Sequence, residues 1–194
     1  MDNEEKPDFF LEDDSESEDA PVSERRREKL RRRAMNVSMY ALSQRAMTTL
    51  KLTERLEKKE IPEDIIEETL EKLKDWGMLD DAAYAQNYIL SRQESKNHGK
   101  RRIALDLRQR GIPPEITEEI LEEVDEDAER QRAKNLALKS ARKTVGLDKQ
   151  KRLRRILGLL GRNGFGGGIS YPVAYEALEE VDVELEEERK FLEG

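Results

Sequence analysis

Residues 76–113, WGMLDDAAYAQNYILSRQESKNHGKRRIALDLRQRGIP, decide how the whole chain is read. Gly77 is a natural C-terminal cap for a helix ahead of it, and Asp80 or Asp81 can open the next helix by accepting backbone N–H bonds. An aromatic-bearing helix is expected over residues 81–95. A turn holding Asn97, His98 and Gly99 follows, and a basic helix over residues 100–110 stops at Gly111.

Shifting the sequence by 51 residues superposes 52–73 on 103–124 without a gap. Leu52 falls on Ile103, Leu56 on Leu107, Ile61-Pro62 on Ile112-Pro113, Leu70 on Leu121 and Leu73 on Val124. A third copy follows: RRIALDLRQRGI (101–112) matches RRILGLLGRNGF (154–165), and EILEEVD (119–125) matches EALEEVD (176–182) after four extra residues around 166–170. A self-match at this period signals a repeat architecture. The positions Leu52/Ile103/Ile156, Leu56/Leu107/Leu160, Leu70/Leu121/Leu178 and Leu73/Val124/Val181 are apolar in every copy and are the predicted core. Lys51/Arg102/Arg155 is basic in every copy, just outside that stripe.

One further helix precedes each pair, over residues 34–47, 81–95 and 128–143. The expected fold is all-α, with three tandem three-helix repeat units forming an elongated curved array. The units are residues 25–76, 77–126 and 127–182, between a disordered acidic tail (1–24) and an acidic C-terminal tail (183–194). In unit 1, Ile65, Ile66, Leu70, Leu73 and Trp76 form the apolar stripe of the third helix. In unit 3 the glycines of 164–168 read as a flexible connection, with Ser170 as a helix cap and Pro172 in the first turn. They lack the Gly-Lys-Ser/Thr ending and the preceding strand of a phosphate loop.

Composition agrees with thin units. Of 194 residues, 36% are hydrophobic and 41% charged, too little apolar content for one thick core. There is no Cys, which excludes disulfides and thiolate chemistry. The longest apolar run, 156–160, is too short to cross a bilayer, and no membrane partner is expected. The N-terminus lacks the apolar core of a signal peptide, so the expected location is cytoplasmic. The net charge of −8 is uneven: residues 1–24 hold eleven acids and one Lys, leaving the other 170 residues at +2 with basic runs at 25–33, 100–102 and 149–155. Within the tail, Phe9-Phe10-Leu11 interrupts the acids and reads as an inert stretch, an anchor for a partner, or part of an arm lying over the chain's own basic patches. The run at 25–33 extends the first helix, as a solvated end or as a phosphate-contacting arm.

No nucleophile–base pair, no calcium-loop spacing and no second histidine beside His98 can be proposed, so no catalysis, metal or cofactor is expected. Tyr84, Tyr88 and Arg92 share one helix face at spacing four, as packing between units or as a contact patch. Lys100, Arg101, Arg102, Arg108 and Arg110 in unit 2, with Lys151, Arg152, Arg154 and Arg155 in unit 3, form either solvated faces paired to glutamates or a basic stripe that meets DNA phosphates or an acidic partner.

The ordered set Leu79-Asp80-Asp81, Tyr84-Ala85, Ser91-Arg92, Gly99, Arg102-Ile103, Leu107-Arg108 and Gly111-Ile112 resembles the RecX family of regulatory proteins, bacterial modulators of the recombinase RecA. The likeness covers roughly residues 34–182. It implies a non-enzymatic regulator, expected as a monomer, that binds the groove of the RecA–DNA filament and suppresses strand exchange and the coupled ATP hydrolysis. Single- or double-stranded DNA is a second partner it implies. Unit 1 departs from the pattern at Glu60, where units 2 and 3 have Gly111 and Gly164.

Overall fold

The computed structural model describes residues 22–193. The reading of the tail over residues 1–21 lies outside them. Residues 22–24, assigned above to that tail, already belong to the first helix.

Among the described residues the chain is all helical and forms nine helices in three sets of three. Unit 1 holds α1 (Val22–Gln44), α2 (Thr49–Glu57) and α3 (Glu63–Asp75). Unit 2 holds α4 (Asp81–Lys96), α5 (Lys100–Arg108) and α6 (Pro114–Glu122). Unit 3 holds α7 (Glu126–Lys143), α8 (Lys149–Arg162) and α9 (Gly167–Glu193). Each set encloses its own core, and the core of unit 1 also takes in Leu79 from the segment that leads into α4. This is a helical repeat array. Among the described residues no helix is long and apolar enough to cross a membrane.

The repeat fixes the cores. The aligned stripe positions are buried in all three units apart from Val124, which is half-buried at the end of α6. Burying one such Leu or Ile side chain contributes about 1.5–3 kcal/mol. In unit 3 the first helix carries Ala133, Ala137 and Ala141 on its inner face. α9 meets them with Ala174 and Ala177, so these two helices approach closely.

The second helix of each unit ends in the same way. Ile61, Ile112 and Phe165 donate their N–H to the carbonyls of Leu56, Leu107 and Leu160, with the intervening residue left-handed in each: Glu60 at φ 59°, Gly111 at 77° and Gly164 at 87°. This is a Schellman closure, and the apolar residue after it tucks beneath the helix it ends.

Three local expectations differ. Trp76 is 58% exposed and leaves the core stripe, because α3 ends at Asp75 and Gly77 (φ 65°) turns the chain, so that Leu79 is buried instead. Ser170 does not cap α9. The helix starts at Gly167, and the buried Ser170 hydroxyl donates to the Phe165 carbonyl while its N–H donates to Gly166. The glycines of 167–168 are thus helical, and Pro172 lies past the first turn. Residues 183–193 continue α9, with Glu184 still paired to α7 and residues 185–193 exposed.

Outer charge ladders hold the first and third helices of units 1 and 3 together. Arg27 pairs with Asp64, and Arg31 with Glu68 at 2.9 Å; Arg130 pairs with Glu176, Lys134 with Glu180 at 2.8 Å and Arg142 with Glu184 at 2.9 Å. The hydrogen bond from Arg31 holds the Glu68 carboxyl below its usual range. Two guanidiniums of the basic run at 25–33, those of Arg27 and Arg31, are therefore engaged within unit 1, while Arg26 and Arg33 are exposed.

Candidate partner-binding surface

The units meet through a joint that is built twice from equivalent residues. At the first boundary the Thr48 hydroxyl donates to the Arg110 carbonyl (2.7 Å), and the Thr49 N–H donates to the Asp81 carboxylate (2.8 Å). At the second, the Gly99 N–H donates to the Asn163 carbonyl (2.8 Å), and the Lys100 N–H donates to the Glu129 carboxylate (2.9 Å). In each, the second helix of one unit presents its N-terminal N–H groups, which have no partner inside their own helix, to the unit that follows. A carboxylate from that unit's first helix and a carbonyl from the end of its second helix satisfy the joint.

The glycine after that carbonyl lies directly against the incoming helix. A Cβ on Gly111 would lie 2.4 Å from Leu50, and one on Gly164 would lie 2.2 Å from the Arg102 backbone nitrogen. Asp80 caps α4 through Ala83 (2.9 Å), which leaves Asp81 for the joint. Sequence reading missed this arrangement. Its signal was the pair Asp81 and Glu129, both four residues before an inward-facing alanine, Ala85 or Ala133.

The joint positions the basic side chains. Arg101 and Arg102 are exposed on the first turn of α5, against the closing turn of α8, and Lys100 is half-buried beside them. Arg102 also reaches Asp106 at 3.1 Å. Arg108 is exposed at the far end of α5. Lys151, Arg154 and Arg155 are exposed near the start of α8, roughly 12–18 Å along that helix from its closing turn at 1.5 Å per residue. The basic positions therefore form one patch per unit, not a continuous stripe.

Arg152 belongs to neither patch. It is 6% exposed and donates to Asp182 at 2.5 Å, because it stands four residues before Ile156 on the core-facing side of α8.

Tyr84, Tyr88, Arg92 and Arg110 come together at the boundary of units 1 and 2. The two tyrosine rings are nearly parallel with centroids 6.3 Å apart, and the guanidiniums of Arg92 and Arg110 lie 4.8 and 4.4 Å from the Tyr88 ring centre. The Tyr88 hydroxyl donates to the buried Asp106 carboxylate (3.1 Å), and Arg110 donates to the Asp106 carbonyl (2.7 Å). The rings are thus packed by arginines at the boundary between units, and the cluster is half-exposed.

His98 lies in the expected turn but is half-buried beside Asp106. Burial pushes its imidazole below the usual range, against the pull of Asp106, so it is neutral near pH 7 and its 3.9 Å approach is not an ion pair. Among the described residues no group of three or more His, Cys, Asp or Glu side chains could hold a metal ion.

Comparison with known proteins places this architecture. Residues 34–73 match the family model for the first three-helix domain of RecX, and residues 80–121 match that for the second. The regulatory protein RecX of Streptomyces coelicolor is 33% identical over 153 residues, covering 79% of this chain and 81% of the relative. That of Mycolicibacterium smegmatis is 32% identical over 182 residues, covering 91% and 93%. The crystal structure of RecX from Lactobacillus salivarius superposes with a TM-score of 0.74 at 24% identity, over 78% of this chain and 98% of that one. With two matching domains and relatives this similar along most of their length, the chain belongs to the RecX family of regulatory proteins.

Proposed function

We propose that this chain limits the activity of the recombinase RecA by lying in the groove of the RecA–DNA filament, as a cytoplasmic monomer without enzymatic activity. The observation that carries this reading is the recurrence of one joint at both unit boundaries. Equivalent joints repeat the same displacement from unit to unit. Lys51, Arg102 and Arg155 therefore recur along the array at a regular interval, which suits a partner whose own subunits repeat. The test is to titrate the chain into RecA on single-stranded DNA while following ATP hydrolysis and strand exchange. Inhibition with binding to preformed filaments is the expected result; no effect and no binding would sink the reading.

Within it, reversing Arg101 and Arg102 to Glu is expected to weaken filament binding about tenfold at low salt, with a smaller loss at high salt. Both side chains are exposed, so helicity should hold, while the lost Arg102–Asp106 pair lowers the thermal midpoint by a few degrees, an effect that Arg101→Glu alone should not show. Unchanged binding would remove this patch from the contact.

A second reading, direct DNA binding, draws on the Tyr84–Tyr88 pair and its two arginines. Stacked aromatics beside guanidiniums are what proteins use to hold single-stranded bases. It predicts affinity for DNA without RecA that falls steeply with salt. It also predicts a loss of about 1–3 kcal/mol on Tyr84→Ala.

A further inference from the structure

Units 1 and 2 enclose a groove with two unlike ends. One end, of about 470 Å³, is floored by Leu42, Met47, Met78 and Tyr84. The adjoining end shares Met47 and Tyr84 and is lined by Arg45, Arg110 and Lys51, the last paired with Glu54 at 2.8 Å. The only carboxylate on either lining is Asp80, which is engaged as the cap of α4. Met78 is 41% exposed, and the neighbouring Trp76 stands out into solvent. The groove is thus apolar at one end and cationic at the other.

We propose that the occupant of this groove is the chain's own N-terminal segment, with Phe9, Phe10 and Leu11 on the apolar floor and the acids before them (Glu4, Glu5 and Asp8) at the cationic end. Three features of the chain support the match. Apolar residues flanked on both sides by acids are complementary to an apolar floor adjoining a cationic wall. The length suffices as well: Val22 to Leu42 spans about 30 Å of α1 at 1.5 Å per residue. The eleven residues from Leu11 to Val22 can extend to about 36–40 Å. The connecting acids, Glu12 through Asp19, then pass along α1, where Arg26 and Arg33 are exposed.

Tethering makes a weak contact sufficient. A linked segment acts at an effective concentration on the order of millimolar, so a millimolar intrinsic affinity keeps the groove about half filled. The segment lies against Tyr84 and Arg110, both candidate contacts for the filament, so a partner that needs them must displace it.

Trp76, the only tryptophan in the chain, stands immediately before the groove residues Gly77 and Met78, so its quenching follows the apolar end without any partner, and this test is independent of the filament reading. In the full chain, combining Phe9→Ala, Phe10→Ala and Leu11→Ala should raise acrylamide quenching of Trp76 roughly twofold, as expected when a half-filled groove empties. Arg45→Glu should do the same from the groove side, with circular dichroism unchanged for both variants. Quenching of the wild type should not depend on protein concentration. A photo-crosslinking phenylalanine analogue at position 10 should attach to peptides containing Leu42, Met47 or Met78. Equal quenching in wild type and the triple variant, a concentration dependence, or crosslinks elsewhere would each overturn the assignment.

Discussion

Gly164→Ala is expected to destabilise the junction of units 2 and 3 by about 2–5 kcal/mol, while Gly77→Ala costs only about 1 kcal/mol. Both glycines have positive φ, so both substitutions carry the left-handed penalty of about 1–2 kcal/mol, partly offset by a stiffer unfolded chain. They differ in what surrounds the new methyl group. At Gly77 nothing lies within 4 Å, whereas at Gly164 the methyl would lie 2.2 Å from the Arg102 backbone nitrogen, which cannot rotate away. Relieving that clash adds about 1–3 kcal/mol. Amide exchange at Lys100 and Arg101, whose N–H groups donate to Glu129 and Gly164, should accelerate in Gly164→Ala and stay unchanged in Gly77→Ala. Equal losses at the two sites would mean that the joint contributes nothing. The same logic explains the departure at Glu60. That position has the left-handed backbone of Gly111 and Gly164 but is exposed, with no helix packed on it among the described residues, so a side chain fits. Glu60→Gly should therefore gain up to about 1 kcal/mol, measured by thermal unfolding.

Asp182→Ala is expected to cost unit 3 about 2–3 kcal/mol, while Arg152→Met is close to neutral. The Arg152 guanidinium is buried with Nε and Nη2 unpartnered, and its one hydrogen bond goes to Asp182. Removing the carboxylate leaves a buried charge alone, which costs about 3–5 kcal/mol in a fully buried pair. The cost here should be smaller because the Asp182 side chain is 42% exposed and water can replace it. Replacing the arginine by an apolar chain of similar volume removes the desolvation penalty along with the bond, so the change is small or favourable. Urea denaturation of the two variants gives the comparison. The same Arg152→Met variant should bind the partner as the wild type does, since the side chain does not reach the surface. A large stability loss in Arg152→Met with none in Asp182→Ala would contradict the buried-pair account.

The cores were legible because each stripe is written three times, and chance apolar positions do not repeat at shifts of 51 and 53. What escaped depends on residues that no local pattern links. Asp81 and Thr49 stand 32 positions apart, as two polar residues of unremarkable type. Each also had a sufficient local explanation, Asp81 as a cap for its own helix. Arg152 was grouped with its basic neighbours because charge runs are read as surface. Its offset of four from Ile156 and eight from Leu160 placed it on the inner face all along. Trp76 erred the other way, since the stripe was extended one step past the end of its helix. Among the candidate contacts, the cluster of Tyr84, Tyr88 and Arg92 followed from helical spacing. Arg110 joins it from the turn after α5, through tertiary packing alone.

The joint also governs what this chain must avoid. It is heterologous, since each unit offers one surface to the unit before it and a different one to the unit after it, and such contacts propagate without closing. A chain whose last unit could plug into the first unit of another copy would polymerise into fibres. Both outer ends lack the needed parts. At the leading end, Leu30 stands 51 residues before Asp81, where the receiving carboxylate would be, and Glu60 occupies the place of the glycine. At the trailing end Asp148 caps its own helix through the Lys151 N–H (2.9 Å) and would set a carboxylate against any acceptor. The residues at these two outer positions thus disfavour the same contact between copies of the chain.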